Sequence, residues 1–99
     1  MTEAFIYDAV RTPRGKGRPD GSLHEVTSVS LSAKILNALK MRNNLQGHAV
    51  EDVIWGNVNQ IGEQGACLAR TAVLASNFAE SVPGVSVNRF CASGLEAVN

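Results

Sequence analysis

One cysteine near the end of the chain, Cys91, is the residue best placed to do covalent chemistry. The apolar run at 85–87 precedes it and is typical of a strand end, while Leu95 and Val98 begin a helical pattern. Small residues at 92–94 let the backbone turn tightly between the two. The sequence therefore predicts that Cys91 lies at a strand-to-helix corner, at or beside the first turn of a helix.

The start of a helix favours an ionised, nucleophilic sulfur. Backbone N–H groups there lack partners within the helix, and the helix dipole is positive at this end. Both effects favour a thiolate over a thiol, so we predict that Cys91 is a nucleophile. The same N–H groups could hold an oxyanion after the sulfur attacks a carbonyl. The alternative is an inert packing residue, since free cysteine is among the most buried residue types.

The residues around Cys91 resemble the active-site signature of the thiolase family. That signature reads apolar residue, Asn, two variable positions, Cys, small residue, Ser, Gly, apolar residue, and residues 87–95 match it throughout. Two other segments agree: Arg-Thr-Pro at 11–13, and Gln-Gly at 64–65 leading to Ala-Arg at 69–70. Glu-Gln-Gly at 63–65 replaces the commoner Gly-Gln-Asn. The resemblance runs in order along essentially all 99 residues.

The resemblance implies an acyltransferase, either an acetyl-CoA acyltransferase or a 3-ketoacyl-CoA thiolase, that works on fatty acyl chains. Cys91 would carry an acyl group as a thioester. The reaction would be thiolytic cleavage of a 3-ketoacyl-CoA, as in β-oxidation, or the reverse Claisen condensation of acetyl-CoA. The resemblance also implies acyl-CoA and coenzyme A as substrates, no bound cofactor, and a dimer or tetramer. The acyl-chain length and the favoured direction stay open.

The family is several times longer than this chain, which stops at Asn99 inside a helix that has only begun. We therefore expect residues 1–99 to be a partial amino-terminal domain. The family's catalytic histidines and second cysteine belong to its carboxyl-terminal half, so the chain alone is expected to be inactive. Two alternatives remain: a ketoacyl-synthase-like enzyme that couples condensation to decarboxylation, and a non-catalytic thiolase-like carrier of acyl-CoA.

Strand-like and helix-like segments alternate along the chain and predict how Cys91 is positioned. The predicted strands and helices cover residues 4–10, 28–41, 53–58, 66–76 and 85–88, with a last helix from Leu95 onward. The alternation predicts an α/β fold with a mostly parallel sheet. By resemblance, the chain would form part of the first half of a layered αβαβα fold. The first strand is mostly apolar and is predicted to be buried on both faces.

Charge and cysteine content exclude several function classes. Nine basic and nine acidic residues give no net charge, so nothing favours nucleic acid or an anionic membrane as a partner. Two cysteines without framework spacing, and no leader segment, predict a cytoplasmic protein. Cys67 also follows a helix-start pattern, but we interpret it as structural. His24 and His48 are interpreted as surface residues, and the spacing of histidine and cysteine predicts no metal site.

Four basic residues lie in the predicted loop at 11–25: Arg11, Arg14, Lys16 and Arg18. The loop's glycines are spaced G-x-G-x-x-x-G and are interrupted by Pro19, so they do not make a dinucleotide-binding fingerprint. The positive charges could attract a phosphorylated substrate such as coenzyme A. A solvated surface loop is the alternative.

Overall fold

Helices and strands alternate in the structure as the sequence pattern predicts. A computed structural model describes residues 2–99, and the order of the elements is α1 (Ser28–Arg42), β1 (Val53–Gly56), α2 (Leu68–Ala75), β2 (Gly84–Val87) and α3 (Ser93–Val98). Two short 3₁₀ turns, Gly47–Ala49 and Gly62–Gln64, lie in the connections.

The two strands pair in parallel, with Val53 opposite Gly84 and Gly56 opposite Val87. Beyond the strand, the N–H of Asn57 donates to the Val87 carbonyl at 2.9 Å. A parallel pair joined through a helix is the βαβ unit of α/β proteins, so the predicted fold class is confirmed. Because the strands run in the same direction, the loops that follow them leave from one edge of the sheet.

Helix α1 begins and ends close to its predicted bounds. The Thr27 side chain accepts a hydrogen bond from the N–H of Ser30 at 3.0 Å, which satisfies a backbone donor that the helix itself cannot. At the other end, the N–H of Asn43 donates to the Leu39 carbonyl at 3.2 Å. Leu36 is buried on the face that joins the core. The core cluster draws on α1, α2, β1 and the segment before β2: Leu36, Val53, Ala69, Ala72, Val73, Phe78 and Val82.

Helix α2 starts two residues later than predicted, at Leu68 instead of Ala66. Ala66 and Cys67 have φ angles of 49° and 61°, in the left-handed region, so the backbone turns before the helix can begin. The Arg70 guanidinium then donates to the carbonyls of Glu80 and Val82 at 2.6 and 2.7 Å. These contacts fix α2 to the segment that leads into β2.

The predicted first strand at 4–10 does not form, and that prediction is wrong for this chain. Residues 4–10 form no helix and pair with no strand, and Phe5, Ile6 and Tyr7 are 68%, 82% and 91% exposed. The apolar pattern of the segment indicates a tendency to be buried, but a strand forms only where a neighbouring strand pairs with it. In this chain β1 pairs with β2, and neither pairs with residues 4–10. Instead Asp8 accepts a hydrogen bond from the Asn43 amide at 2.9 Å and lies 3.1 Å from the Arg42 guanidinium.

Gly84 allows α2 to lie directly on β2. A Cβ atom at this position would be 2.7 Å from the backbone nitrogen of Arg70 and 2.8 Å from the Ala69 carbonyl carbon. We predict that Gly84→Ala lowers the free energy of unfolding by about 1–3 kcal/mol, because the helix must shift away from the sheet. Urea denaturation measures the change. Gly17→Ala, where a Cβ meets no atom within 4 Å, is the matched control. Equal stability of the two variants would contradict the close packing.

The Asn43 amide, the N–H of Ala9 and the Arg42 guanidinium hold the pKa of Asp8 below its ordinary value of 3.8. A lowered carboxyl pKa stabilises the docked segment at pH values above about 4, and the contribution is lost as the pH falls through the lowered pKa. We predict that Asn43→Ala raises the pKa of Asp8, as measured by an NMR titration. The control, Arg14→Gln, should leave it unchanged. An Asp8 pKa of 3.8 or above in the unsubstituted chain would rule this contact out.

Candidate active site

Cys91 lies where the sequence predicts, between the end of β2 and the start of α3. Helix α3 begins at Ser93 with Ala92 as its N-cap, which places Cys91 immediately before the cap. The thiol is free and exposed, so Cys91 is not sealed in the core. Both strands end at this edge of the sheet, and the loop that follows β1 leaves from the same edge.

The backbone around Cys91 is tightly folded. Phe90, the residue before it, has a φ angle of 49°, which is uncommon for a residue other than glycine. The side-chain oxygen of Asn88 accepts a hydrogen bond from the N–H of Phe90 at 2.9 Å. The N–H groups of Ala92 and Ser93 donate to the carbonyls of Arg89 and Phe90 at 3.0 and 3.1 Å. Such held conformations occur preferentially at functional sites.

These hydrogen bonds correct part of the sequence interpretation. Unpaired N–H groups were expected beside Cys91, but those of Ala92 and Ser93 are already donated within the turn. A tight turn uses the carbonyls of the residues before Cys91 as acceptors, which occupies the donors that follow it. Helix α3 is also short, at six residues. An oxyanion formed at Cys91 therefore needs donors other than these two amides.

The start of α3 packs against the end of β1, and an ion pair links α3 to the turn before it. Ser93 is buried, with 4% exposure, and its hydroxyl contacts the backbone on either side of the Phe90 turn. A Cβ atom at Gly56 would lie 2.6 Å from the carbonyl carbon and oxygen of Ser93, so α3 packs directly on the end of β1. Arg89 and Glu96 form an exposed ion pair at 3.2 Å, an interaction that contributes little to stability.

The loop after β1 is anchored by Asn57, which is buried with 6% exposure. Its side-chain amide donates to the Gln64 carbonyl at 3.0 Å, and its carbonyl accepts from the Gln60 amide at 3.2 Å. A cavity of about 460 Å³ lies between this loop, α1 and the segment at 10–12. Arg11 is the member of the basic loop that lines it, and Cys91 is not part of its lining.

Cys67 also lies at a helix start, as its sequence pattern predicts, and it is the N-cap of α2. The Arg70 N–H first, and then the Ser86 side chain and backbone, lower the pKa of the Cys67 thiol against the opposing effect of burial. The sulfur lies 3.3 Å from the Gly84 carbonyl and 3.9 Å from the Ser86 hydroxyl. Cys67 also packs against the core, which agrees with a structural role. Its helix-start position was visible in the sequence, whereas its left-handed backbone was not.

The remaining residues considered in the sequence lie on the surface. His24 and His48 are exposed, and His24 lies 3.8 Å from the Glu25 carboxylate. The four basic residues of the loop are exposed as well. Over residues 2–99, no group of three histidine, cysteine or acidic side chains is arranged to hold a metal ion. The helices formed by these residues lack the length and apolar composition needed to cross a bilayer.

Comparison with known proteins assigns the family. Residues 4–99 match the family model described as the thiolase amino-terminal domain. The chain belongs to the thiolase family. This thiolase chain is 40% identical to the 3-ketoacyl-CoA thiolase of Cronobacter sakazakii and 41% identical to that of Shewanella loihica. Both alignments cover 100% of the chain and 26% of the relative, so the chain spans about a quarter of the length of these curated relatives.

A solved structure agrees with the thiolase assignment. The chain resembles the acetyl-CoA acetyltransferase of Bacillus anthracis with a TM-score of 0.69 and 37% sequence identity. The similarity covers 77% of this chain and 19% of that protein. The α/β fold described above is therefore a thiolase fold.

The lowered pKa of Cys67 gives a prediction for this thiolase chain. In a Cys91→Ser background, alkylation of Cys67 by iodoacetamide should show a midpoint below pH 9.0, the ordinary thiol value. Ser86→Ala removes a hydroxyl that donates to the sulfur, so the midpoint should move upward. Because the folded-state pKa is depressed, ionised Cys67 stabilises the fold above pH 9, and the contribution is lost as the pH falls through the lowered pKa.

Ser76→Ala is the control for this titration, because Ser76 bonds at the far end of α2. A Cys67 midpoint at or above pH 9.0 in the unsubstituted chain would contradict the lowering of the thiol pKa by Arg70 and Ser86.

Proposed function

We propose that the protein containing this chain is an acyl-CoA acyltransferase of the thiolase type and that Cys91 carries the acyl group as a thioester. The observation that carries the proposal is the exposed sulfur on a tightly hydrogen-bonded strand-to-helix turn, within residues 87–95 that match the thiolase signature. The names of the relatives support the reaction class, 3-ketoacyl-CoA thiolase and acetyl-CoA acetyltransferase.

The chemistry follows from the sulfur nucleophile. The Cys91 thiolate attacks the 3-keto carbon of a 3-ketoacyl-CoA, a C–S bond forms, and the bond between carbons 2 and 3 breaks. Carbon 2 leaves with the electron pair as the enolate of acetyl-CoA and takes up a proton. Coenzyme A then attacks the acyl-enzyme, its thiol proton is transferred, and Cys91 is released. The acyl group moves from one sulfur to another, so the second step is close to balanced in energy.

The proton transfers need an acid and a base that are not placed beside Cys91 in this chain. His24 and His48 are exposed in surface segments, and we assign no step to them. We propose that the groups come from the remaining three-quarters of a protein of the relatives' length, and that residues 1–99 alone are a partial, inactive domain.

Exposed apolar side chains on the sheet and on α3 indicate that other protein surfaces cover them in the complete enzyme. Ile54, Val85, Leu95 and Val98 are 45%, 42%, 65% and 71% exposed, although they lie on the sheet and on α3. Apolar side chains at such positions are normally covered by protein. We propose that further parts of the enzyme and a second subunit cover them, giving a homo-oligomer that takes acyl-CoA and coenzyme A. Two free thiols and the absence of net charge support a cytoplasmic enzyme without a nucleic acid or membrane partner.

The direct test uses the complete enzyme and acetyl-CoA. Mass spectrometry should find one acetyl group, located on Cys91, after rapid acid quenching. Cys91→Ser should lose thiolysis of acetoacetyl-CoA by at least about a thousandfold, because the hydroxyl is a far weaker nucleophile at neutral pH. The folded state of the variant is checked by circular dichroism.

Cys67→Ser is the matched control, since it removes the other thiol and should keep the acetyl group on Cys91. Binding of acetyl-CoA without an adduct would contradict the proposal and indicate a carrier. An adduct whose onward reaction requires decarboxylation of a malonyl thioester would indicate a ketoacyl synthase.

A further inference from the structure

The buried hydroxyl of Ser93 connects two backbone groups that precede Cys91. It accepts a hydrogen bond from the N–H of Arg89 at 2.8 Å and donates one to the Phe90 carbonyl at 2.7 Å. Both distances are typical of well-formed hydrogen bonds. One hydroxyl therefore binds the peptide group between Asn88 and Arg89 and the peptide group between Phe90 and Cys91.

Asn88 satisfies a third backbone group in the same turn. Its side-chain oxygen accepts the Phe90 N–H at 2.9 Å. Two side chains, on either side of Cys91 in sequence, thus hold the backbone of Arg89 and Phe90. Because the left-handed conformation of Phe90 is unfavourable for a residue with a Cβ atom, it persists only where its surroundings hold it.

Ser93 is itself held by the sheet. It is 4% exposed, and the backbone of Gly56 lies so close that a Cβ atom there would be 2.6 Å from the Ser93 carbonyl. The backbone of the residue that carries the hydroxyl is therefore held directly against the end of β1. Through Ser93, the end of β1 is connected to Phe90, the residue before Cys91.

We propose that Ser93 is a positioning residue for Cys91. By keeping Phe90 in its left-handed conformation, the hydroxyl sets the direction of the Cα–Cβ bond of Cys91 and so aims the sulfur at the acyl carbon. Attack requires an aligned approach, and small misplacements of reacting atoms cost up to about a hundredfold in rate. The inference rests on the proposed role of Cys91 as the acylated residue.

The test compares two reactions of the same sulfur in the complete enzyme. In Ser93→Ala, acylation of Cys91 by acetyl-CoA in a single turnover, and with it kcat, should fall by about tenfold to a hundredfold. The KM for acetyl-CoA should change by less than about twofold, because no substrate contact is removed. Alkylation by iodoacetamide should change less than about threefold, because a small reagent can approach from many directions.

Ser76→Ala is the matched control. The Ser76 hydroxyl donates to the Val73 carbonyl at 2.8 Å and accepts from the Phe78 N–H at 3.1 Å, the same pair of bonds at the end of α2. It should lower the melting temperature comparably while leaving the acylation rate unchanged. Equal acylation rates in Ser93→Ala and Ser76→Ala would overturn the proposal, and so would equal loss of acylation and alkylation in Ser93→Ala.

A second pair of variants keeps the test decisive if Ser93→Ala does not fold. Asn88 is exposed, so Asn88→Ala should fold, and it should slow acylation in the same way. Asn88→Asp keeps the acceptor oxygen and should recover most of the lost rate. Equal rates in these two variants and the unsubstituted enzyme would overturn the proposal. If the unsubstituted enzyme forms no acyl adduct on Cys91, the proposed function fails first, and the two failures are distinguished.

Discussion

The direct contact between the end of β1 and the start of α3 is the constraint on which the rest of the site depends. It exists because residue 56 is glycine, which lets the backbone of Ser93 approach the strand without an intervening side chain. The contact buries the Ser93 hydroxyl, and the hydroxyl in turn holds the turn before Cys91. An exposed reactive sulfur can thus be placed accurately by a buried scaffold.

A lowered thiol pKa and an exposed position were both expected at Cys91, but the structure places them on different cysteines. Cys67 is the N-cap of a regular helix, and the Arg70 amide lowers the pKa of the Cys67 thiol. Cys91 is more exposed and follows a left-handed residue, but the amides of Ala92 and Ser93 are already used within its turn. The pKa of a thiol and its exposure to solvent are therefore set by different parts of this fold. The Arg70 amide lowers the pKa of the Cys67 thiol, and a hydrogen-bonded turn presents Cys91 at the surface.

The sequence predicted those elements whose caps, apolar periodicity or turn residues lie within the element itself. Helix α1 was predicted at 28–41 and found at Ser28–Arg42, because Thr27 caps it and Leu36 faces the core. The corner at Cys91 followed from an apolar run, small residues and a new helical pattern. The pattern failed at 4–10, where the outcome depends on a neighbouring strand that periodicity cannot specify. The left-handed backbone of Phe90 and the buried bonds of Ser93 depend on tertiary contacts, so sequence reasoning had no signal for them.

Amide hydrogen exchange at Arg89 in the complete enzyme tests most directly whether the turn before Cys91 is held by a buried hydroxyl. The Arg89 N–H lies beyond the end of β2 and donates to the Ser93 hydroxyl, so its protection from exchange reports this bond. The account predicts that Arg89 exchanges as slowly as the amides of β2. Exchange at the rate of an unstructured peptide would mean that nothing holds the turn, and the account of how Cys91 is positioned would be wrong.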